Sequence, residues 1–164
     1  DTATNSQQLL QANFEGSGRQ VLIEKTDGFD GLKAVLPPPP RRAVVLIDPP
    51  YEDKRDYARV CSSLKEALKR FATGCYAIWF PLLQRAESRD LLQQLQAVTP
   101  GDWLYTSLTV QTPSADGFGM HGSALYIINP PYNLPAALQQ VLPYLVEHLG
   151  LDRGADFELQ HQIS

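Results

Sequence analysis

The apolar run Ala43-Val44-Val45-Leu46-Ile47, halted by Asp48-Pro49-Pro50-Tyr51, constrains this chain more than any other stretch. A short segment that is apolar at every position and rich in β-branched residues predicts a parallel strand buried on both faces. Two consecutive prolines cannot donate to a ladder, so the strand must stop at Asp48. In open α/β sheets ligands gather outside the carboxyl ends of the strands, which makes Asp48 to Tyr51 a candidate site by position alone.

The rest of the chain supports that architecture. A polar, helix-like segment lies around Ser6 to Phe14, Arg19 to Lys25 reads as a strand, and the turn Thr26-Asp27-Gly28-Phe29 leads into a short helix ending near Leu36. Pro37 to Pro40 form a stiff spacer. Tyr57, Cys61, Leu64, Leu68 and Phe71 recur at three- and four-residue spacing, which predicts an amphipathic helix stopped near Gly74. Tyr76 to Phe80 is a third buried strand, and Leu91, Leu92, Leu95 and Val98 mark the next helix. Trp103 to Thr112 and Ser123 to Asn129 are strand-like with no room for a helix between them, so they should pair as an antiparallel hairpin. A last helix carries Leu134, Leu138, Val141, Leu142 and Leu145, with Pro143 inside it, and the tail from Asp152 gives no signal. Alternating βα units followed by a hairpin predict an α/β fold with a mostly parallel sheet and one reversed strand.

At 164 residues the chain is expected to form one domain spanning residues 1–164, and its 43% hydrophobic content suits a globular protein. Cys61 and Cys75 show no metal-binding spacing, no metal is expected, and a reducing cytoplasm is the simplest home. The stretch Cys75 to Leu83 is too short to cross a bilayer and holds Pro81, so no membrane partner is expected. The net charge of −4 neither announces nor excludes a nucleic acid.

Asp-Pro-Pro-Tyr is the pattern that methylation of an exocyclic amine calls for. The lone pair of adenine N6 is delocalised into the ring, and a carboxylate accepting one N6 hydrogen with a carbonyl accepting the other would localise it. Asp48 supplies the first acceptor and Pro49 the second, its fixed φ holding the carbonyl's direction; Pro50 completes the turn. Tyr51 is expected to stack on the flipped-out base.

Two other motifs compete. Asn129-Pro130-Pro131-Tyr132 nearly repeats the pattern, but too little chain follows it for a Rossmann-like catalytic turn, so it is read as the end of the reversed strand. Gly117 to Gly122 matches GxGxxG, yet a strand rather than a helix follows it; it is read as a hairpin loop, with His121 a loop residue. Asp27-Gly28-Phe29 follows the first strand on the same sheet edge as Asp48. Its acidic side chain could accept from the adenine amine of a cofactor, or simply cap a helix; both readings stand.

Taken together, TDGFDGLK, LPPPPRRAVVLIDPPYE, RFATGCYAIWFPL and GMHGSALYIINPPY make the chain resemble the RlmJ family of bacterial ribosomal RNA large-subunit methyltransferases from Arg19 to Leu149. The resemblance implies a Rossmann-like class I fold and transfer of methyl from S-adenosyl-L-methionine to the N6 of an adenine in 23S ribosomal RNA. It also implies a monomer at full length, with Asp48 as catalytic acceptor and Asp27 with Gly28 at the cofactor. The family's amino-terminal half, with two strands and a glycine-rich cofactor loop, has no counterpart here, so the chain is read as a carboxyl-terminal portion lacking the first two strands. The rival functions are a DNA adenine methyltransferase, and a non-catalytic nucleic-acid-binding protein in uptake of external DNA. The latter would use Arg41, Arg42, Lys54, Arg55 and Arg59, cations that otherwise form a solvated face.

Overall fold

The computed structural model describes residues 2–163. Helix α1 (Thr2–Asn13) precedes a 3-10 turn at Gly18–Gln20 and an extended segment that runs to the turn before α2 (Gly28–Val35). Strand β1 (Val44–Ile47) leads through the proline turn to α3 (Arg55–Arg70), β2 (Cys75–Leu82) and α4 (Ala86–Val98). Strands β3 (Trp103–Thr109) and β4 (Gly122–Ile128), helix α5 (Leu134–Leu149) and strand β5 (Asp156–Gln162) complete the chain.

The five strands form one sheet in the order β1-β2-β4-β3-β5. Only β1 and β2 are paired in parallel; β2 with β4, β3 with β4, and β3 with β5 are all antiparallel. The expected mostly parallel sheet is therefore corrected to a mixed one. The reason is that β4 turns back at its hairpin and inserts between β2 and β3, so those two strands, which run the same way, do not pair.

Three further expectations change. Arg19 to Lys25 forms no strand: Val21 is extended (φ −123°, ψ 126°), but among the described residues no neighbour pairs with the segment, and Leu22 stays exposed. The β1 strand is not buried on both faces. It lies at the sheet edge, and with no further strand beside it among the described residues Val44 and Leu46 are 76% and 65% exposed. The tail, given no signal, holds β5, whose Phe157 and Leu159 alternate inward against exposed Asp156, Glu158 and Gln160.

Packing follows the periodicities. Tyr57, Val60, Leu64, Ala67, Leu68 and Phe71 of the α3 stripe meet Tyr76, Ile78 and Phe80 of β2 and Leu91 and Leu95 of α4 in the main core. Each such fully buried aliphatic or phenylalanine side chain contributes about 1.5–3 kcal/mol. On β3, Tyr105 joins that core while its neighbour Leu104 points to the opposite face, where α5, packed on β3 and β5, buries Leu142. The site edge is thus framed by α2, α3 and α4. No helix among the described residues is long and apolar enough to cross a membrane.

Candidate functional site

At the carboxyl end of β1, a cavity of about 580 Å³ is lined by Asp27, Gly28 and Phe29 on one side and by Asp48, Pro49 and Pro50 on the other. Six residues singled out in two separate motifs therefore meet in one place. The floor is apolar, from Leu32, Val35, Leu46 and Ile47.

Asp27 caps α2, accepting from the Phe29 amide at 2.9 Å. Its other oxygen accepts from the Arg59 guanidinium at 2.7 Å. Arg59 thereby holds the Asp27 carboxyl below the usual aspartate range, with the Phe29 amide adding to the effect. The same guanidinium sits 4.3 Å from the Phe29 ring centroid and 3.7 Å from the buried carboxylate of Asp56. Cap and cofactor contact are thus compatible roles for Asp27: one oxygen serves the helix while the turn lines the cavity.

Asp48 is exposed at the cavity mouth, ready for a ligand from solvent. What aims it lies underneath. Tyr51 adopts a left-handed backbone (φ 54°), which is unfavourable for a bulky side chain and persists only where its surroundings dictate it. Those surroundings are a ring 1% exposed, tilted against Tyr57 at 4.8 Å, and a hydroxyl that donates to the Trp79 carbonyl at 2.8 Å. Burial pushes the Tyr51 hydroxyl's pKa far up, so it remains a donor at any ordinary pH. This corrects the base-stacking place expected for Tyr51: its faces are already covered by protein, and it acts as the anchor of the turn.

The second motif goes elsewhere. In register, Ile128 faces Tyr76 near the start of β2, which places Asn129 at the opposite sheet edge from Asp48. Its amide donates to the carbonyls of Ala72 (2.8 Å) and Gly74 (2.7 Å), tying down the turn between α3 and β2, while Tyr132 is exposed. The GxGxxG segment forms the β3–β4 loop; a Cβ at Gly122 would run into the Leu108 carbonyl oxygen, so close strand approach explains that glycine.

Sequence reasoning missed Asp56 as part of the site and took Arg59 only as a cation for nucleic acid or for a solvated face. They lie one turn apart on α3, with Asp56 buried in line with Val60 and Leu64, and a carboxylate on that apolar row just after the proline turn was the available signal. The other cations near the motif are engaged internally: Lys54 with Glu87 at 2.8 Å and Arg55 with Asp53. Cys61 and Cys75 are free thiols whose pKa values burial raises. Among the described residues no cluster of His, Cys, Asp or Glu is placed to hold a metal ion.

The family model for "Ribosomal RNA large subunit methyltransferase D, RlmJ" matches residues 2–159. The chain belongs to the RlmJ family. Ribosomal RNA large subunit methyltransferase J of Escherichia coli (strain K12) is 44% identical over 137 residues, 84% of this chain and 48% of that protein. The Haemophilus influenzae (strain ATCC 51907 / DSM 11121 / KW20 / Rd) protein of the same name is 41% identical over 141 residues, 86% of this chain and 50% of its own. A crystal structure of protein LPL1258 from Legionella pneumophila str. Philadelphia 1 superposes with a TM-score of 0.72 at 31% identity, covering 85% of this chain and 50% of that one. This RlmJ-family chain thus spans about half the length of the relatives it matches.

Proposed function

We propose that the full-length protein is an adenine-N6 methyltransferase acting on 23S ribosomal RNA, with Asp48 and the Pro49 carbonyl presenting the amine and S-adenosyl-L-methionine as donor. The observation that carries this is the convergence of Asp27-Gly28-Phe29 and Asp48-Pro49-Pro50 on one cavity. Its chemistry suits the donor: a carboxylate able to accept from amine or hydroxyl groups stands beside an apolar wall suited to a flat heterocycle. Asp27, Gly28 and Phe29 would hold that molecule, which supplies a methyl group on a positively charged sulfur.

The work of the chain's own residues is orientation. The Asp48 carboxylate accepts one N6 hydrogen and the Pro49 carbonyl accepts the other, turning the nitrogen lone pair out of the ring. Tyr51, clamped by Trp79 and Tyr57, keeps both acceptors fixed so that no reorganisation is needed during transfer. The proton on nitrogen becomes acidic only as the new bond forms, so Asp48 can take it without being a strong base.

Methyl transfer by the full-length protein to deproteinised 23S RNA, compared with duplex DNA, tests the substrate class. Asp48→Ala should lower the rate on the order of 10²–10³-fold, as loss of a preorganised electrostatic partner does, with RNA binding retained. Equal transfer by wild type and variant would overturn the role of Asp48. Preference for duplex DNA would favour the rival substrate.

A further inference from the structure

The fold parts the cations that the sequence groups around the proline turn. Lys54, Arg55 and Arg59 stay beside that turn, each on a carboxylate. Arg41 and Arg42 instead precede β1, where the chain entering β2 and the chain leaving β4 also arrive: the Cys75 amide donates to the Ala43 carbonyl at 3.2 Å, and Ile128 pairs with Tyr76. This is the sheet edge opposite Asp48, roughly 20 Å from it at the usual rise per strand residue.

Positive charge gathers at this edge although the chain's net charge is −4. The Arg70 guanidinium donates to the Lys33 carbonyl at 3.3 Å and so brings the ends of α2 and α3 together. Arg41 lies with its guanidinium 5.9 Å from the centroid of the buried Phe71 ring, and its amide donates to the Pro38 carbonyl at 2.8 Å. The carboxylates of Asp30 and Glu66 are taken by Lys33 and Lys69, and Asp102 stands on the far side, beyond Asn129. Arg41, Arg42 and Arg70 are exposed, with no ion pair among the described residues.

The second proline motif adds an aromatic ring to the same edge. The Asn129 amide is fixed on the Ala72 and Gly74 carbonyls, just beyond Arg70, and three residues further on Tyr132 is 89% exposed. The Leu134 amide donates to the Pro131 carbonyl at 3.0 Å and closes the turn that carries Tyr132. An open aromatic face beside unpaired guanidiniums suits a nucleic-acid strand, since the ring can take a base and each planar guanidinium can take a phosphate. Screening at physiological salt limits such charges to about 8 Å, so they act on a part of the substrate remote from the adenine at Asp48.

We propose that this edge is a second RNA contact, where an unpaired base stacks on Tyr132 and its flanking phosphates lie on Arg41, Arg42 and Arg70. The proposal rests on the RNA methyltransferase function above and deepens it, because a substrate that reaches both edges must be a long RNA with an unpaired segment away from the target. It also divides the two tyrosines: Tyr51 is buried as an anchor, and Tyr132 is the one left open to a base.

The test measures filter binding of deproteinised 23S RNA to the full-length protein across a salt series, together with methyl transfer. Tyr132→Ala should weaken binding on the order of tenfold, the usual reach of one stacked base, and Tyr132→Phe should restore it. Arg41→Ala and Arg42→Ala should each lower the slope of log affinity against log salt by about 0.7, as for a single-strand phosphate contact, while Arg153→Ala, on another surface, should not. With these variants KM for RNA should rise and kcat stay near wild type. Unchanged affinity in the Tyr132 and arginine variants, or an equal loss with Arg153→Ala, would overturn the proposal. So would a Tyr132→Ala protein that binds RNA normally but self-associates less in sedimentation velocity, which would assign the edge to a second copy of the chain. Arg42 has no printed packing role and is exposed, so its variant decides the matter should Arg41→Ala fail to fold. Variant-sensitive RNA binding without methyl transfer to RNA by wild type would sink the proposed function and leave the contact standing; transfer without that sensitivity would do the reverse.

Discussion

Tyr51 exchanges a recognition role for a mechanical one, and the exchange is measurable. Tyr51→Phe removes the hydrogen bond to the Trp79 carbonyl but keeps the packed ring, so denaturant unfolding should show a loss of about 1 kcal/mol. Methyl transfer and RNA affinity should change little; a large loss of RNA affinity would return the residue to base contact. Arg59 acts on Asp27 in a similarly indirect way. The depressed Asp27 pKa means that its ionic contribution is present above the ordinary aspartate value and lost as pH falls through the lowered one. NMR titration of the Asp27 carboxyl should find its midpoint below 3.8, and Arg59→Ala should move that midpoint upward. An unchanged midpoint would remove Arg59 from the site. Neither tyrosine anchor nor arginine clamp was legible in the sequence, because burial of one and the reach of the other are set by elements far apart in the chain.

Among the elements, the two proline motifs show how similar words acquire different tasks. Both follow apolar strands, but β1 runs parallel to β2 and β4 antiparallel to it, so one motif ends at the ligand edge and the other at the opposite edge. Asn129→Ala should destabilise the chain by about 1–3 kcal/mol, since Ala72 and Gly74 each lose a donor. In the full-length protein it should leave the methyl-transfer rate near wild type; a fall like that of Asp48→Ala would place Asn129 in the site after all. Helices α3 to α5 were legible because their apolar stripes repeat with the helical period. Strand β5 was missed although Phe157 and Leu159 alternate with polar neighbours: two apolar residues in a polar tail become a strand only because β3 offers a free edge.

For the whole molecule, the decisive feature is the edge at β1. Among the described residues it pairs only with β2, and Val44 and Leu46 are exposed beside the cavity that Leu46 helps to line. An unpaired apolar strand edge invites further pairing. The 164-residue chain by itself should therefore self-associate in sedimentation velocity as concentration rises, and calorimetry should detect weak or no binding of S-adenosyl-L-methionine. A monodisperse monomer that binds the cofactor at micromolar concentration would show that the cavity's walls are sufficient as they stand.

The sequence by itself determined the α/β class, the helices α3 to α5, the hairpin, and the turn at Asp48, because each depends on local periodicity or on proline's missing donor. It also placed Asp27, Gly28 and Phe29 near a helix start. Tertiary structure decided that those two turns share a cavity, that Tyr51 faces inward, that Arg59 closes on Asp27, and that the sheet is mixed rather than mostly parallel. Those outcomes depend on which strands become neighbours, a choice made by long-range packing that no local pattern in the chain encodes.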